Sequence, residues 1–190
     1  MQKTFRRYLL LFLVLVLAPG APILAQSRDH LTEKEIELVR DTQLLDKRIE
    51  VFIRAVERRL LVMNSTASSN SKQLQKEAEL WGELPKGNRS ELIGDIAKIL
   101  DEAITNIDDV SMHDEKNPLL AKALRRLATE ATQLKSQLLP LREQAKSEEE
   151  LGNLEQLLAN AQSIIDAAVK LPPPTETKGK KKSDKAKEKN

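Results

Sequence analysis

Apolar side chains recur every three or four residues along most of this chain, which is the period of one face of an α-helix. The first stripe follows Thr32 and Glu35, whose spacing is that of a capping box at a helix start, and it continues to about Met63. It predicts a single helix about 48 Å long, at 1.5 Å per residue. Thr42 and Arg59 are polar residues that interrupt its apolar face.

A polar segment ends this first helix. Residues 64–71 are almost all Asn, Ser and Thr, whose side chains compete for the backbone hydrogen bonds of a helix. A short helix is predicted over 72–81, with Leu74, Ala78 and Trp81 on one face. The glycine and proline residues between 82 and 88 predict a turn after it.

The second and third long helices carry the same spacing. The second begins near Ser90, and its apolar positions are Ile93, Ile96, Leu100, Ala103, Ile107 and Val110. The third follows Asn117 and Pro118, which suit an N-cap and a first helical turn. Its apolar positions are Leu120, Leu124, Leu127, Ala131, Leu134, Leu138, Leu141 and Ala145. Because Pro140 has no backbone N–H to donate, this helix either kinks there or stops at Leu139 and restarts.

A second capping box, Ser147 with Glu150, opens the fourth long helix. Its apolar positions are Leu151, Leu154, Leu158, Ala161, Ile165 and Ala168. Three consecutive prolines at 172–174 end it. Four long amphipathic helices and one short one, joined mostly by short polar connections, predict an all-α fold, an antiparallel helical bundle over 26–171. The same spacing is also compatible with an extended coiled coil that dimerises, so a homo-oligomer is a possible state.

The first 25 residues have the three parts of a secretory signal peptide. Lys3, Arg6 and Arg7 precede an uncharged apolar run over 8–18, and Ala25 offers a small residue for cleavage. The run is shorter than the roughly 20 apolar residues that span a bilayer. We therefore expect cleavage and a periplasmic or secreted protein; the alternative is an uncleaved leader that anchors the chain in the membrane.

Charge divides the rest of the chain into two parts. Residues 26–171 hold 21 Lys and Arg against 26 Asp and Glu, whereas residues 172–190 hold seven Lys against three acids. This tail has no apolar residue except Ala186, so it is predicted to be disordered. Its candidate interaction residues are Lys178, Lys180, Lys181, Lys182, Lys185, Lys187 and Lys189.

The tail either tethers the protein to an anionic envelope surface or only keeps it soluble. It has no aromatic side chain for base stacking, which argues against dedicated nucleic-acid binding. Contact with a membrane would be peripheral, or through an uncleaved leader.

Residues that could carry out chemistry are few. The chain of 190 residues has no cysteine, six glycines and two histidines, His30 and His113. Disulfides, thiolate metal sites, a nucleophile elbow and phosphate-binding glycine loops are therefore not expected. Neither histidine lies in a Glu-x-x-His pair of a di-iron bundle. No cofactor and no enzymatic activity are predicted.

One acidic cluster is a weak candidate for a divalent-cation site. Its members are Asp108, Asp109, His113, Asp114 and Glu115. They flank or follow the apolar stripe of the second long helix, which favours a solvated surface over a metal site.

Three other features have two interpretations. Trp81 is either an exposed anchor for a partner or, as we favour, part of the core. The basic pairs at 58–59 and 125–126 either contact an anionic partner or, as we favour, are solvated flanks of their helices.

The sequence thus predicts an exported, non-enzymatic helical protein that acts by binding, as a scaffold or adaptor of the cell envelope. Two alternatives stay open. One is a chaperone-like periplasmic binder of unfolded clients, and the other is an acidic protein that binds divalent metal ions. The partner, whether a protein or an anionic surface, is not specified by the sequence.

Overall fold

A computed structural model describes residues 29–64 and 78–173, and within these ranges the regular elements are helices, with no β-strand. Five α-helices are α1 Glu33–Asp41, α2 Leu45–Met63, α3 Arg89–His113, α4 Leu120–Leu138 and α5 Glu148–Val169. A 3₁₀-helix covers Leu139–Gln144, and residues 78–81 are also helical. The predicted leader, the first part of the predicted short helix and the tail from residue 174 lie outside the described residues.

The all-α fold predicted from the sequence is confirmed, but its single first helix is wrong. The chain leaves the helical conformation at Thr42, Gln43 and Leu44, and α1 folds back along α2 as a helical hairpin. The Thr42 hydroxyl donates to the Leu38 carbonyl at 2.7 Å, and the Thr42 carbonyl accepts from Arg48 at 2.9 Å. The Leu38 carbonyl also accepts from the Thr42 amide at 3.1 Å, so it is the bond from Arg48 that satisfies a carbonyl which the break would otherwise leave unpaired.

The four long helices surround one core in the order α2, α3, α5, α4, so α2 and α5 occupy opposite corners. Neighbours α2 and α3 run antiparallel, as do α4 and α5, whereas α3 and α5 run parallel and so do α2 and α4. The contacts that fix these directions are Arg48–Asn106, Arg59–Asp95, Lys135–Gln162, Ser90–Asn153, Ala97–Asn160, Asp46–Lys122 and Glu50–Arg126. Residues 114–119, which join α3 to α4, consequently link opposite corners of the bundle.

Aliphatic side chains build the core between these helices. The predicted stripe of α3 is buried from Ile93 to Ile107, and Leu127 at the centre of α4 has no exposed surface. In α5 the buried stripe is rotated from the predicted one, because Leu157 and Ile164 are fully enclosed while Leu158 is only half-buried. Because α5 packs against both α3 and α4, the face that it buries is wider than the stripe predicted from steps of three and four residues.

Side-chain caps mark the starts of three of the five α-helices. The predicted capping box of α1 is complete, with Thr32 and Glu35 each bonding the other's backbone amide. Asn88 and Glu91 form a second complete box at the start of α3, which the sequence analysis did not predict. At α5 only half of the predicted box forms: Ser147 accepts from the Glu150 amide at 3.1 Å.

Pro140 divides the third long helix rather than kinking it. The α-helix ends at Leu138, and the chain continues as a 3₁₀-helix with the proline in its first turn. Leu141 still packs against the core from this segment, which explains why the apolar spacing continues past the proline. No helix in the described ranges is both long enough and apolar enough to cross a bilayer.

Candidate binding groove

A buried ion cluster joins α1 to α2. Glu35 has no exposed surface, and the side chains of Arg58 and Arg59 are 2% and 1% exposed. Arg58 Nη1 lies 2.8 Å from Glu35 Oε1, and Arg59 Nη2 lies 2.8 Å from Glu35 Oε2. The interpretation of this arginine pair as solvated flanks is therefore wrong. Buried guanidinium groups need a carboxylate and several acceptors, and the folded-back α1 supplies the carboxylate.

Arg58 also holds the segment that follows the helical turn at 78–81. Its Nη1 donates to the Trp81 carbonyl at 2.9 Å and its Nη2 to the Gly82 carbonyl at 3.0 Å. The guanidinium lies over the Trp81 ring, 5.8 Å from the ring centre, in the geometry of a cation–π contact. Burial lowers the pKa of Arg58 below its ordinary value, and the neighbouring Glu35 carboxylate opposes that shift.

The burial of Trp81 and the backbone conformation of Gly82 reflect the packing around Arg58. Trp81 is half-buried against Arg58, so it is neither a fully enclosed core residue nor a free exposed anchor. Gly82 has a φ of +68°, and a Cβ at this position would lie 3.2 Å from the Cβ of Lys34. Both the positive φ and the close approach of α1 favour glycine here.

Arg59 donates hydrogen bonds to the residues that precede α1 in the chain. It donates to the carbonyls of His30 and Ala55 and to both oxygens of Glu35. Within residues 29–64 and 78–173 its Nε has no hydrogen-bond acceptor, and Asp95 Oδ2 of α3 lies 3.9 Å from it. The His30 ring extends this contact, with Nε2 placed 2.8 Å from Glu102 Oε2. Residues 29–31 are thus tied to both α2 and α3.

Above the ion cluster lies a groove of about 430 Å³. One wall is the stretch 29–34 and the other is 83–86, with Arg59 at the base. Leu31, Leu84 and Pro85 supply apolar surface. The charged groups of its lining are Asp29, Glu33, Lys34, Glu83 and Lys86.

The rim charges are largely arranged in pairs. Lys86 Nζ lies 2.8 Å from Glu83 Oε2, and Lys34 Nζ lies 2.6 Å from Glu37 Oε2. The hydrogen bond from Lys86 lowers the pKa of Glu83, and the same bond raises the pKa of Lys86. A groove with apolar side chains in its walls and charges of both signs at its rim suits a polypeptide segment more than a single ion.

A second cleft, of about 80 Å³, opens between α3, α4 and the last turns of α5. Its lining is mostly aliphatic and includes Ile107, Leu124 and Ile164. It is too small for more than a single side chain.

The acidic candidates do not converge. All five side chains are exposed, and the described ranges contain no group of three or more His, Cys, Asp or Glu residues that could hold a metal ion. His113 turns back to its own helix, with Nδ1 at 2.7 Å from the Asp109 carbonyl. The seven tail lysines that were candidates for interaction lie outside the described residues.

The basic pair on α4 does lie at the surface. Arg126 is 51% exposed and contacts Glu50 at 3.0 Å, and Arg125 donates to the Pro172 carbonyl. The residues that the sequence analysis missed are those of the ion cluster. Their signal was present: Glu35 and Arg59 are polar residues that fall on an otherwise apolar stripe.

No family model matches the chain, and neither a curated protein nor a solved structure matches it.

Proposed function

We propose that this protein is an exported, non-enzymatic binding protein, a scaffold or adaptor of the cell envelope. In this proposal the groove between 29–34 and 83–86 takes a segment of a protein partner, and the Lys-rich tail tethers the protein to an anionic surface. The observation that carries the proposal is the groove itself, whose volume of about 430 Å³ falls in the usual range for ligand sites.

The ion cluster supports binding because it fixes both walls. Arg59 bonds the His30 carbonyl in one wall, and Arg58 bonds the Gly82 and Glu83 carbonyls beside the other. A surface that is ordered before its partner arrives loses less conformational entropy on binding.

The export and tethering parts of the proposal rest on the sequence. The leader has the layout of a signal peptide, and residues 172–190 carry a net charge of +4 while 26–171 carry −5. Attraction of such a tail to anionic headgroups amounts to about 1 kcal/mol per lysine close to the surface. Salt should weaken it.

The exposed apolar residues do not favour a chaperone. Those with large side chains are Ile36, Leu44, Leu80, Met112, Leu139 and Val169. Each lies on a different segment of the described chain, so no single helix presents more than one of them, whereas unfolded clients require a wide apolar surface.

The groove is tested by capturing partners from envelope extract with the mature chain 26–190. Leu84→Glu places a charge on the apolar part of the groove wall and should abolish the capture of a specific partner. Leu80→Glu is the matched control, because Leu80 is 56% exposed and does not line the groove. If Leu84→Glu retains the same proteins as the unchanged chain, the groove is not the binding site.

The tail is tested separately with vesicles. Binding to phosphatidylglycerol vesicles, but not to phosphatidylcholine vesicles, should disappear in high salt and in a chain with the seven tail lysines replaced by glutamine. Equal binding by the substituted chain would remove tethering from the proposal and leave the groove unaffected.

A further inference from the structure

The hinge between α1 and α2 is short and lacks the residues that usually break helices. It consists of Thr42, Gln43 and Leu44, without glycine or proline. The helix that follows it has no side-chain cap at its start, where Leu44 is the N-cap residue. A continuous helix through the hinge would remove this uncapped end and add backbone hydrogen bonds.

The heptad pattern also runs through the hinge without a break. In steps of three and four its members are Glu35, Leu38, Thr42, Leu45, Ile49, Phe52, Val56, Arg59 and Met63. Such spacing is typical of a helix that presents one seam to a partner helix along its whole length. The hairpin therefore depends on the docking of α1, and no glycine or proline in the hinge imposes it.

The docking of α1 does not require that α1 and α2 belong to the same chain. The contact consists of Glu35 inserted between Arg58 and Arg59, with bonds of 2.8–2.9 Å. An α1 from a second copy would offer the same carboxylate to the same guanidinium groups. Exchange of an identical element between protomers changes only the hinge conformation.

We propose that two copies of this chain exchange their α1 helices. In the exchanged dimer, residues 33–63 form one continuous helix, and Glu35 of each copy binds Arg58 and Arg59 of the other. Leu44, which is 58% exposed at the hinge, comes to lie where the two hinges meet and loses part of that exposure.

The exchange has a consequence for the groove. One wall, 29–34, belongs to the exchanged arm, and the other, 83–86, belongs to the body. Each groove of the dimer is then built from both copies. This inference goes beyond the proposed function and does not depend on it, because the exchange can be measured without any partner.

The experiment is refolding of the mature chain from urea over a wide range of concentrations, with the mass of the product measured by light scattering after size exclusion. We expect a dimer whose fraction rises with concentration. Thr42→Ala combined with Gln43→Ala favours a continuous helix and should tighten the dimer about tenfold.

Leu44→Pro is the variant that should prevent the exchange. Leu44 has a φ of −78°, which proline tolerates in the hairpin, whereas a proline within a continuous helix breaks it. This variant should give only a monomer, with unchanged helix content by circular dichroism. A dimer that survives Leu44→Pro, or a monomer at every concentration for both the unchanged and the alanine chains, overturns the proposal.

Mixing separates arm exchange from any other dimer. A Glu35→Gln chain and an Arg59→Met chain are refolded together and weighed by native mass spectrometry. The mixed dimer has one intact pairing of Glu35 with both arginines, which neither parent can form, so it should exceed the two parent dimers combined. If the mixed dimer forms only as often as random pairing of the two chains predicts, exchange through this contact is contradicted.

Discussion

The Glu35 carboxylate accepts hydrogen bonds from the Thr32 amide, from Arg58 and from Arg59, and it has no exposed surface. A single side chain thereby caps α1 and pairs with two buried guanidinium groups, and Asp95 Oδ2, 3.9 Å from Arg59 Nε, supplies a second nearby negative charge. Replacing a whole buried ion pair by apolar residues often costs little, but removing only one partner leaves the other charges uncompensated. Glu35 is therefore the residue of this cluster whose removal should lower the free energy of unfolding most.

Glu35→Gln keeps the size of the side chain and removes its charge. We expect the free energy of unfolding to fall by about 3–5 kcal/mol, the usual loss when one partner of a buried ion pair is removed. Urea denaturation measures it. Glu37→Gln on the exposed side of the same helix is the control and should leave the urea midpoint unchanged. Similar midpoints for the two variants would show that the cluster contributes no net stability.

Glu130, unlike Glu35, lowers the stability of the native state, and the size of this effect depends on pH. Burial, with the like charge of Glu57 as a second cause, raises the pKa of Glu130 above its ordinary value. The ionised carboxylate therefore destabilises the native state fully above the raised pKa. That penalty decreases as the pH falls and vanishes below the ordinary pKa of the unfolded chain, where both states are protonated.

Glu130→Gln should accordingly raise the melting temperature at pH 7 and have no such effect near pH 3.5. A series of thermal melts between these values checks the sign. The exposed Glu115→Gln serves as control. A stabilisation by Glu130→Gln that is independent of pH would contradict the assigned cause.

At the level of single residues, sequence reasoning found caps and core positions but missed buried charge. The capping box of Thr32 could be predicted because its two bonds are local in sequence. Arg59 falls on the apolar stripe, but the pairing could not be predicted, because Glu35 lies 23 and 24 residues from Arg58 and Arg59 and approaches only after the hairpin closes.

Among the elements, local signals placed most helix ends correctly and failed where tertiary contacts decide. The apolar stripe from Leu38 to Met63 gave no reason to expect a hinge at 42–44, since no glycine or proline marks it. Pro140 did mark a helix boundary. The apolar spacing on either side of it could not distinguish a kinked α-helix from the 3₁₀ segment that follows α4.

Two helical glycines offer a matched pair of substitutions. A Cβ at Gly152 in α5 meets nothing within 4 Å, whereas a Cβ at Gly94 in α3 would lie 3.0 Å from Asn153 Nδ2. Gly152→Ala should stabilise the protein by roughly 0.5–1 kcal/mol through helix propensity. Gly94→Ala should gain less or destabilise, because it displaces the Asn153 bond to Ser90. Equal gains in urea unfolding would contradict this account.

Leu127 tests the packing of α4. Its side chain is fully enclosed, so Leu127→Ala leaves a cavity and should cost about 2–5 kcal/mol in the free energy of unfolding. Leu139→Ala, at a position 50% exposed, is the control and should change the urea midpoint little. An unchanged midpoint for Leu127→Ala would contradict the place of Leu127 in the core.

For the whole molecule, the number and amphipathicity of the long helices could be predicted from the apolar spacing, but not which of them are neighbours. Four apolar stripes can surround a core in more than one order. The observed order places α3 beside α5 and running parallel to it, which polar bonds such as Asn160 to the Ala97 carbonyl specify. The groove was equally hidden, because its walls lie about 50 residues apart in the chain.

Removing the tail tests whether the described fold is self-sufficient. The sequence beyond residue 173 has Ala186 as its only apolar residue and can therefore bury little surface. Mature chains 26–190 and 26–173 should melt at the same temperature within error, by circular dichroism. A drop of several degrees in the shorter chain would show that the tail contributes to folding.

The parallel pairing of α3 with α5 has a consequence for the nascent chain during translation. The groups that neutralise Arg58 and Arg59 have all been synthesised by residue 95, so the charges of the N-terminal hairpin can be paired early. The partners of Ser90 and Ala97 on α5 follow 63 residues later. Until they emerge from the ribosome, one aliphatic face of α3 stays uncovered, and it is the part of the growing chain that a cellular chaperone would bind.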